Sequence, residues 1–264
     1  MRGLGGRTIV VVAGGLRSDR PSLGAATAIR LAAEGANVVV SDLSMDAAGA
    51  TARQAATEGL AGEVVPAECD VADEASVQAL FGLAAARFGG VDGVHSNAMD
   101  MSPGTLGVDS HHDLLTLPLG VWQRSLDVGL TGFLVVARTA IPYLLERGGG
   151  GIVGTASGAV FAGEPVRLGY AAAKTGMTAI MRHIASAYGQ QGIRANCVAP
   201  GLVPGESGMA NMNVPVERLL KTVRSTRLGR PEDIAGMVAF LLSDDGEWIN
   251  GQLISVDGGS VLGH

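Results

Sequence analysis

Cysteine is scarce in this chain: two among 264 residues, Cys69 and Cys197. Each lies in or beside an apolar, strand-like run, so both read as buried reduced thiols and not as a disulfide. Runs of basic charge are missing. Lys and Arg number 19 against 25 Asp and Glu, for a net charge of −6, which argues against nucleic acid or an acidic membrane surface as a partner. No apolar run reaches the eighteen or so residues of a membrane helix, and Met1 to Arg7 lacks the apolar stretch of a signal peptide. A cytoplasmic protein is expected. Metal-ligand spacing is lacking too. His111, His112 and Asp113 are contiguous, and adjacent rings point in different directions, so a solvated loop is expected there and no metal.

What the chain has is apolar residues, at 47%, and forty glycines, a composition suited to buried parallel strands and tight turns. Strand patterns fall at 8–13, 37–42, 63–69, 91–96, 151–157, 194–199 and 252–256. Helical patterns fall near 23–34, 44–58, 73–88, 118–146, 168–190 and 231–243. This alternation predicts an α/β protein: a doubly wound parallel sheet of about seven strands with helices on both faces, built as one domain over 1–264. No linker or internal repeat interrupts it, and the four glycines at 148–151 read as a turn. Two segments break the rhythm, 99–117 and 203–226. Both follow strand C-terminal ends, where open α/β sheets place ligands.

The first strand leads into Gly14, Gly15 and Gly24 and then a helix. The second strand, 37–42, closes on Asp42. Strand, glycine loop, helix, strand and acid is the order of a dinucleotide site: the helix N-terminus faces the pyrophosphate and the acid bonds the ribose hydroxyls. Ser22, after Pro21, is a helix N-cap by its type, with Leu23 and Gly24 next. Far downstream, Tyr170 and Lys174 stand four apart on one helix face, and Ser157 precedes the tyrosine by thirteen residues. A cation beside a phenol lowers the phenol pKa from its usual ~10. A serine hydroxyl opposite it can bond the same substrate oxygen. The trio suits proton transfer to or from a carbonyl or alcohol.

These features resemble the short-chain dehydrogenase/reductase family over nearly the whole chain. Cys69-Asp70-Val71 resembles its adenine-contacting segment, and Ser96-Asn97-Ala98 most of its Asn-Asn-Ala-Gly element. Ile193 to Asn196, then Ala199-Pro200-Gly201, with Val203 beyond, resembles its sixth strand and nicotinamide-side loop; Asp257-Gly258-Gly259 resembles its closing segment. The resemblance implies a Rossmann-type fold and an NAD(P)-dependent oxidoreductase interconverting a secondary alcohol and a ketone. Tyr170 would be the general acid/base, Lys174 its pKa-lowering partner and a ligand of the nicotinamide ribose, and Ser157 the group orienting the carbonyl. Segment 203–226 would be a lid. A homodimer or homotetramer packed through the two long helices and the C-terminal strand is also implied.

Several positions depart from the family pattern. The glycine loop is about four residues longer, with Ser22 at the middle glycine. A longer loop is similar to that of the enoyl reductases, but those place six residues between tyrosine and lysine, and position 167 is arginine here. The spacing therefore favours carbonyl or alcohol chemistry. Asp42 favours NAD over NADP by repelling a 2′-phosphate; Arg17 and Arg20 pull the other way unless they are simply solvated. Gly129 stands where the family has the asparagine of its catalytic tetrad, and Met99 where it has glycine. The first of these, with the altered loop, motivates the alternative of a catalytically impaired NAD-binding sensor or partner module. Glu164 and Arg167 border the expected substrate pocket, either to contact a polar substrate or to form a surface ion pair. Met209 and Met212 hint at an apolar substrate.

Overall fold

The computed structural model describes residues 1–17, 22–204 and 215–262. Seven strands, β1 (Thr8–Val12), β2 (Asn37–Asp42), β3 (Val64–Glu68), β4 (Gly93–Ser96), β5 (Gly150–Thr155), β6 (Ile193–Pro200) and β7 (Leu253–Val256), form one sheet. Its order is β3-β2-β1-β4-β5-β6-β7, with every neighbouring pair parallel. The helices are α1 (Leu23–Ala33), α2 (Met45–Thr57), α3 (Glu74–Phe88), α4 (Leu119–Leu126), α5 (Gly132–Glu146), α6 (Leu168–Tyr188), α7 (Val216–Leu220) and α8 (Pro231–Leu242).

β1 is buried at all five positions because helices cover both faces of the sheet, and its β-branched residues fill both. Val10, Val12, Val39, Val94 and Ile152 pack with Phe81 of α3, Phe133 and Leu144 of α5, and Met177 and Met181 of α6. The alternate residues Ile9, Val11, Val38, Val40 and Val153 pack with Leu31 of α1 and with Ile234 and Leu242 of α8. Period-two alternation thus feeds two cores from one set of strands. Cys69 and Cys197 are free and buried, as expected. Burial pushes their thiols up to about 11 and about 12 respectively.

The expected helix 118–146 is really two, α4 and α5, joined by a π-helical turn, Asp127–Thr131. Together they run 28 residues, and the most apolar stretch within them has a mean hydropathy of 1.6. That corrects the expectation that no apolar run is long enough to cross a membrane. Half of its most apolar stretch is buried within the protein, with Phe133, Val136, Ala140 and Leu144 in the core, which is how a core helix behaves. The two irregular segments also hold structure. A π turn, Pro103–Gly107, lies in the first, and α7 in the second. Met209 and Met212 lie outside the described residues.

Candidate active site

The chain leaves β1 and β4 in opposite directions, which opens a crevice at their C-terminal ends. Asn97 ties the two ends together. Its backbone N–H donates to the Val12 carbonyl at 3.1 Å and its Nδ2 to the Ala13 carbonyl at 3.2 Å; Ala98, beside it, is buried. Ala13 takes a φ of 58°, a left-handed conformation costing a non-glycine residue about 1–2 kcal/mol, and turns the chain into the glycine loop. A Cβ on Gly14 would lie 2.5 Å from Val40 Cγ2, and one on Gly24 would collide with the Ala13 carbonyl. Only glycine lets α1 begin this close to the strand end. Ser22 caps the helix as expected: its Oγ accepts from the Ala25 N–H and donates to the Gly15 carbonyl, both at 3.2 Å, and Leu23 opens the first turn.

Asp42 ends β2 with its side chain buried. It accepts from the N–H groups of Gly15 at 3.1 Å and Ser44 at 3.2 Å and is ion-paired with Arg17. Arg17 is therefore not a merely solvated cation; Arg20 lies outside the described residues. Asp70 follows β3 and accepts from the Ala72 N–H at 2.9 Å, while Val71 is buried against Gly132, where a Cβ would come within 2.8 Å of Val71 Cγ2. On the far side Pro200 ends β6, Gly201 donates to the Val256 carbonyl at 3.1 Å, and Val203 packs beside Gly229. The close-packed glycines, the helix start and a carboxylate with lone pairs to spare fit a dinucleotide laid across the strand ends.

Ser157 lies two residues past β5 and caps a 3₁₀ turn, Gly158–Val160. Its hydroxyl lies close enough to the Tyr170 phenol to pull the phenol pKa down. Tyr170 sits in the first turn of α6 and Lys174 one turn on, buried, with Nζ donating to the Thr155 carbonyl at 2.7 Å. Burial pushes the Lys174 ammonium down to about 8. The expected lowering of the phenol pKa is not found. Burial raises it, outweighing the nearby Ser157 hydroxyl and the Arg167 charge, which pull it down. Arg167 is ion-paired with Glu164 and its guanidinium lies 5.7 Å from the Tyr170 ring centroid. Its own φ is 65°.

Three features went unread in the sequence. His95 of β4 is fully buried, with Nε2 2.8 Å from Thr155 Oγ1 and Nδ1 without a partner. Burial, and then the Lys174 charge, push this ring down to about 3. A histidine inside an apolar strand was the available signal. Asp109, in segment 99–117, is fully buried and reaches the start of α6 across some sixty residues, with no local pattern to announce it. Finally, a Cβ on Gly129 would lie 2.7 Å from Met99 Sδ and 3.0 Å from Ala173 Cβ: the thioether occupies the room a side chain at 129 would need. His111 and Asp113 are engaged locally, the ring 2.6 Å from the Gly107 carbonyl and the carboxylate on Thr116 at 2.8 Å.

The sequence model of one protein family, described as enoyl-(acyl carrier protein) reductase, matches residues 18–261. A probable short-chain type dehydrogenase/reductase of Bradyrhizobium diazoefficiens is 38% identical over 92% of this chain and 84% of its own. Levodione reductase of Leifsonia aquatica is 33% identical over 96% of this chain and 93% of its own. Among solved structures, a 7α-hydroxysteroid dehydrogenase complexed with NADH and 7-oxo glycochenodeoxycholic acid superposes with a TM-score of 0.86. It has 27% identity and covers 98% of this chain and 95% of its own. A nicotinamide cofactor is typical of such enzymes. With its crevice, its seven parallel strands and these relatives, the chain belongs to the short-chain dehydrogenase/reductase family of oxidoreductases.

Proposed function

We propose that this enzyme interconverts a secondary alcohol and a ketone, with Tyr170 as general acid/base, Ser157 orienting the substrate oxygen and Lys174 holding positive charge beneath them. The observation that carries the proposal is the buried Lys174 ammonium on the Thr155 carbonyl, one turn along α6 from Tyr170, with Thr155 two residues before Ser157 in the chain. A bound nicotinamide would supply or accept the hydride, held by Gly14, Ser22 to Gly24, Asp42, Asp70, Val71, Asn97, Ala98, Tyr170, Lys174, Pro200, Gly201 and Val203. In reduction, the phenol Oη gives its proton to the developing alkoxide while Ser157 Oγ donates a hydrogen bond to the same oxygen. A phenol whose pKa is raised by burial holds that proton at neutral pH until the substrate takes it. Below about pH 8 Lys174 remains charged and stabilises the phenolate left behind. In oxidation the phenolate recovers the proton from the hydroxyl.

Tyrosine at 170 and arginine at 167 keep the spacing to Lys174 that suits a carbonyl rather than an enoyl substrate. Cyclic ketones are the first class to try, since relatives carry the names levodione reductase and 7α-hydroxysteroid dehydrogenase. NAD is favoured over NADP, because a carboxylate at Asp42, which already neutralises Arg17, would repel a 2′-phosphate. Leu119 and Leu134 on α4 and α5 and Leu168 at the start of α6, all exposed, support assembly as a homodimer or homotetramer through the two long helical stretches, α4–α5 and α6, and the C-terminal strand. We read the chain as one domain, with 203–226 as lid and 99–117 as a pocket-bordering insertion. Replacing Tyr170 with Phe should cut NADH-dependent ketone reduction at least about hundredfold and leave dinucleotide affinity, read by fluorescence titration, unchanged. Undiminished turnover would remove Tyr170 from the reaction.

One observation favours a second reading. With the Met99 thioether filling the room at 129, the amide that the family uses in its proton relay has no place, as suits a dinucleotide sensor with little turnover. Stopped-flow oxidation of NADH across a panel of cyclic and acyclic ketones separates the two readings: bound NADH that no ketone oxidises means the sensor.

A further inference from the structure

The first turn of α6 carries Tyr170, yet its own N-cap residue cannot cap it. Arg167 occupies that position with φ at 65° and makes no side-chain hydrogen bond to the helix; its guanidinium lies over the Tyr170 ring instead. The cap comes from 61 residues upstream. Asp109 Oδ2 accepts from the Tyr170 N–H at 2.8 Å and Oδ1 from the Gly169 N–H at 3.2 Å. The Asp109 carbonyl accepts from the Arg167 N–H at 2.9 Å. Three backbone N–H groups of the helix entry, those of Arg167, Gly169 and Tyr170, are thus bound by one residue of the 99–117 segment.

The surroundings show that this approach is built. Asp109 has no exposed surface, and no ion pair to it occurs among the described residues. A carboxylate buried without a cation is costly unless several donors meet it, and the two amides at a helix N-terminus, where negative charge is favoured, are such donors. Gly169 makes room: a Cβ there would lie 3.0 Å from Ser125 Oγ and 3.3 Å from Asp109 Oδ2. One turn on, Lys174 is fixed by the Thr155 carbonyl. The segment holding Tyr170 is therefore gripped at its start by the insertion and at its next turn by β5.

We propose that Asp109 is a positioning residue for the reaction, holding the Tyr170 backbone so that the phenol meets Ser157 and the substrate oxygen. The inference rests on Tyr170 being the proton donor. It makes the 99–117 segment part of the catalytic frame as well as a border of the substrate pocket. A misplacement of about 1 Å at a reacting group costs on the order of a hundredfold in rate, so a loosened helix start is visible in turnover.

The test compares Asp109→Ala, Asp109→Asn and Asp92→Ala. Asp92 is a stability control at the opposite end of the sheet, where its carboxylate accepts from the Thr8 N–H at 2.8 Å and from Arg147 Nε at 2.8 Å. NADH oxidation with a cyclic ketone, NADH affinity by fluorescence and thermal unfolding are measured for each. Expected for Asp109→Ala is a fall in kcat of about tenfold or more with NADH affinity within about twofold. Asn, which keeps one acceptor oxygen, should restore most of that loss. Asp92→Ala should lose comparable melting temperature but keep kcat. A second readout needs no turnover: the Tyr170 phenol, titrated at 295 nm as the difference between each variant and its Tyr170→Phe counterpart, should ionise at lower pH in Asp109→Ala as its burial loosens. Unchanged kcat and unchanged titration in Asp109→Ala, or an equal kcat loss in Asp92→Ala, would overturn the proposal. Full turnover in Tyr170→Phe would instead fell the proton-donor reading on which it stands.

Discussion

At the scale of single residues, the sharpest prediction concerns Asp42. Its carboxylate holds Arg17 and the Gly15 amide. Replacing it with Ala frees Arg17 for a 2′-phosphate, so the ratio of kcat/KM for NADPH over NADH should rise at least about tenfold. Replacing Arg17 as well should erase most of that rise. Steady-state assays with both reduced dinucleotides decide it; an unchanged ratio in Asp42→Ala would show that cofactor choice lies elsewhere. Asp42 was legible because an acid closing a second strand after a glycine loop has a chemical meaning in sequence. The Arg17 pairing was not, because an ion pair across 25 residues depends on how the loop folds back. Asp109 was hidden for the same reason: its partners are backbone amides sixty residues away, and amides carry no residue-specific signal.

At the scale of elements, β1 to β7 were legible as short apolar, β-branched runs suited to burial on both faces, and the long helices from an apolar face that repeats every 3.6 residues. The seam between α4 and α5 was not. A π turn has the same apolar composition as the helices it joins, and its cause lies in packing: Gly129 within it admits the Met99 sulfur and approaches Ala173 of α6. Alanine at 129 would gain about 1 kcal/mol of helix propensity but overpack the joint, at a cost of about 1–3 kcal/mol. Gly129→Ala should therefore destabilise, and the same change should become stabilising in a Met99→Ala background. A double-mutant cycle from urea unfolding should return a coupling of at least about 0.5 kcal/mol. Additive effects would mean the two side chains do not share the space.

At the scale of the whole molecule, two buried titratable groups give stability a pH dependence of one sign. Lys174 is held at about 8, below its ordinary 10.5. Between those values the unfolded chain binds a proton the folded chain has shed, so stability rises with pH. His95 is held at about 3, below its ordinary 6.5, so stability falls as pH drops from about 6.5 toward 3. In urea unfolding, the parent should gain about 1 kcal/mol on Lys174→Met between pH 7 and 9. It should lose about 2 kcal/mol against His95→Gln between pH 7 and 5. Parallel curves for parent and variant would show that the group is not charged or neutral as described. The burial of His95 had a signal, a histidine inside an apolar strand; that of Lys174 had none, because it depends on how α6 packs against the strand ends.

The shared space at Met99 and Gly129 also orders the steps by which such a sequence can change. Met99 is only partly buried, so shrinking its thioether first costs less than the roughly 2–5 kcal/mol of emptying a fully buried site. Enlarging the glycine first forces neighbouring atoms apart. A lineage moving between these two arrangements by single substitutions is therefore expected to pass through the smaller side chain at 99, and ancestors carrying bulk at both positions should be rare.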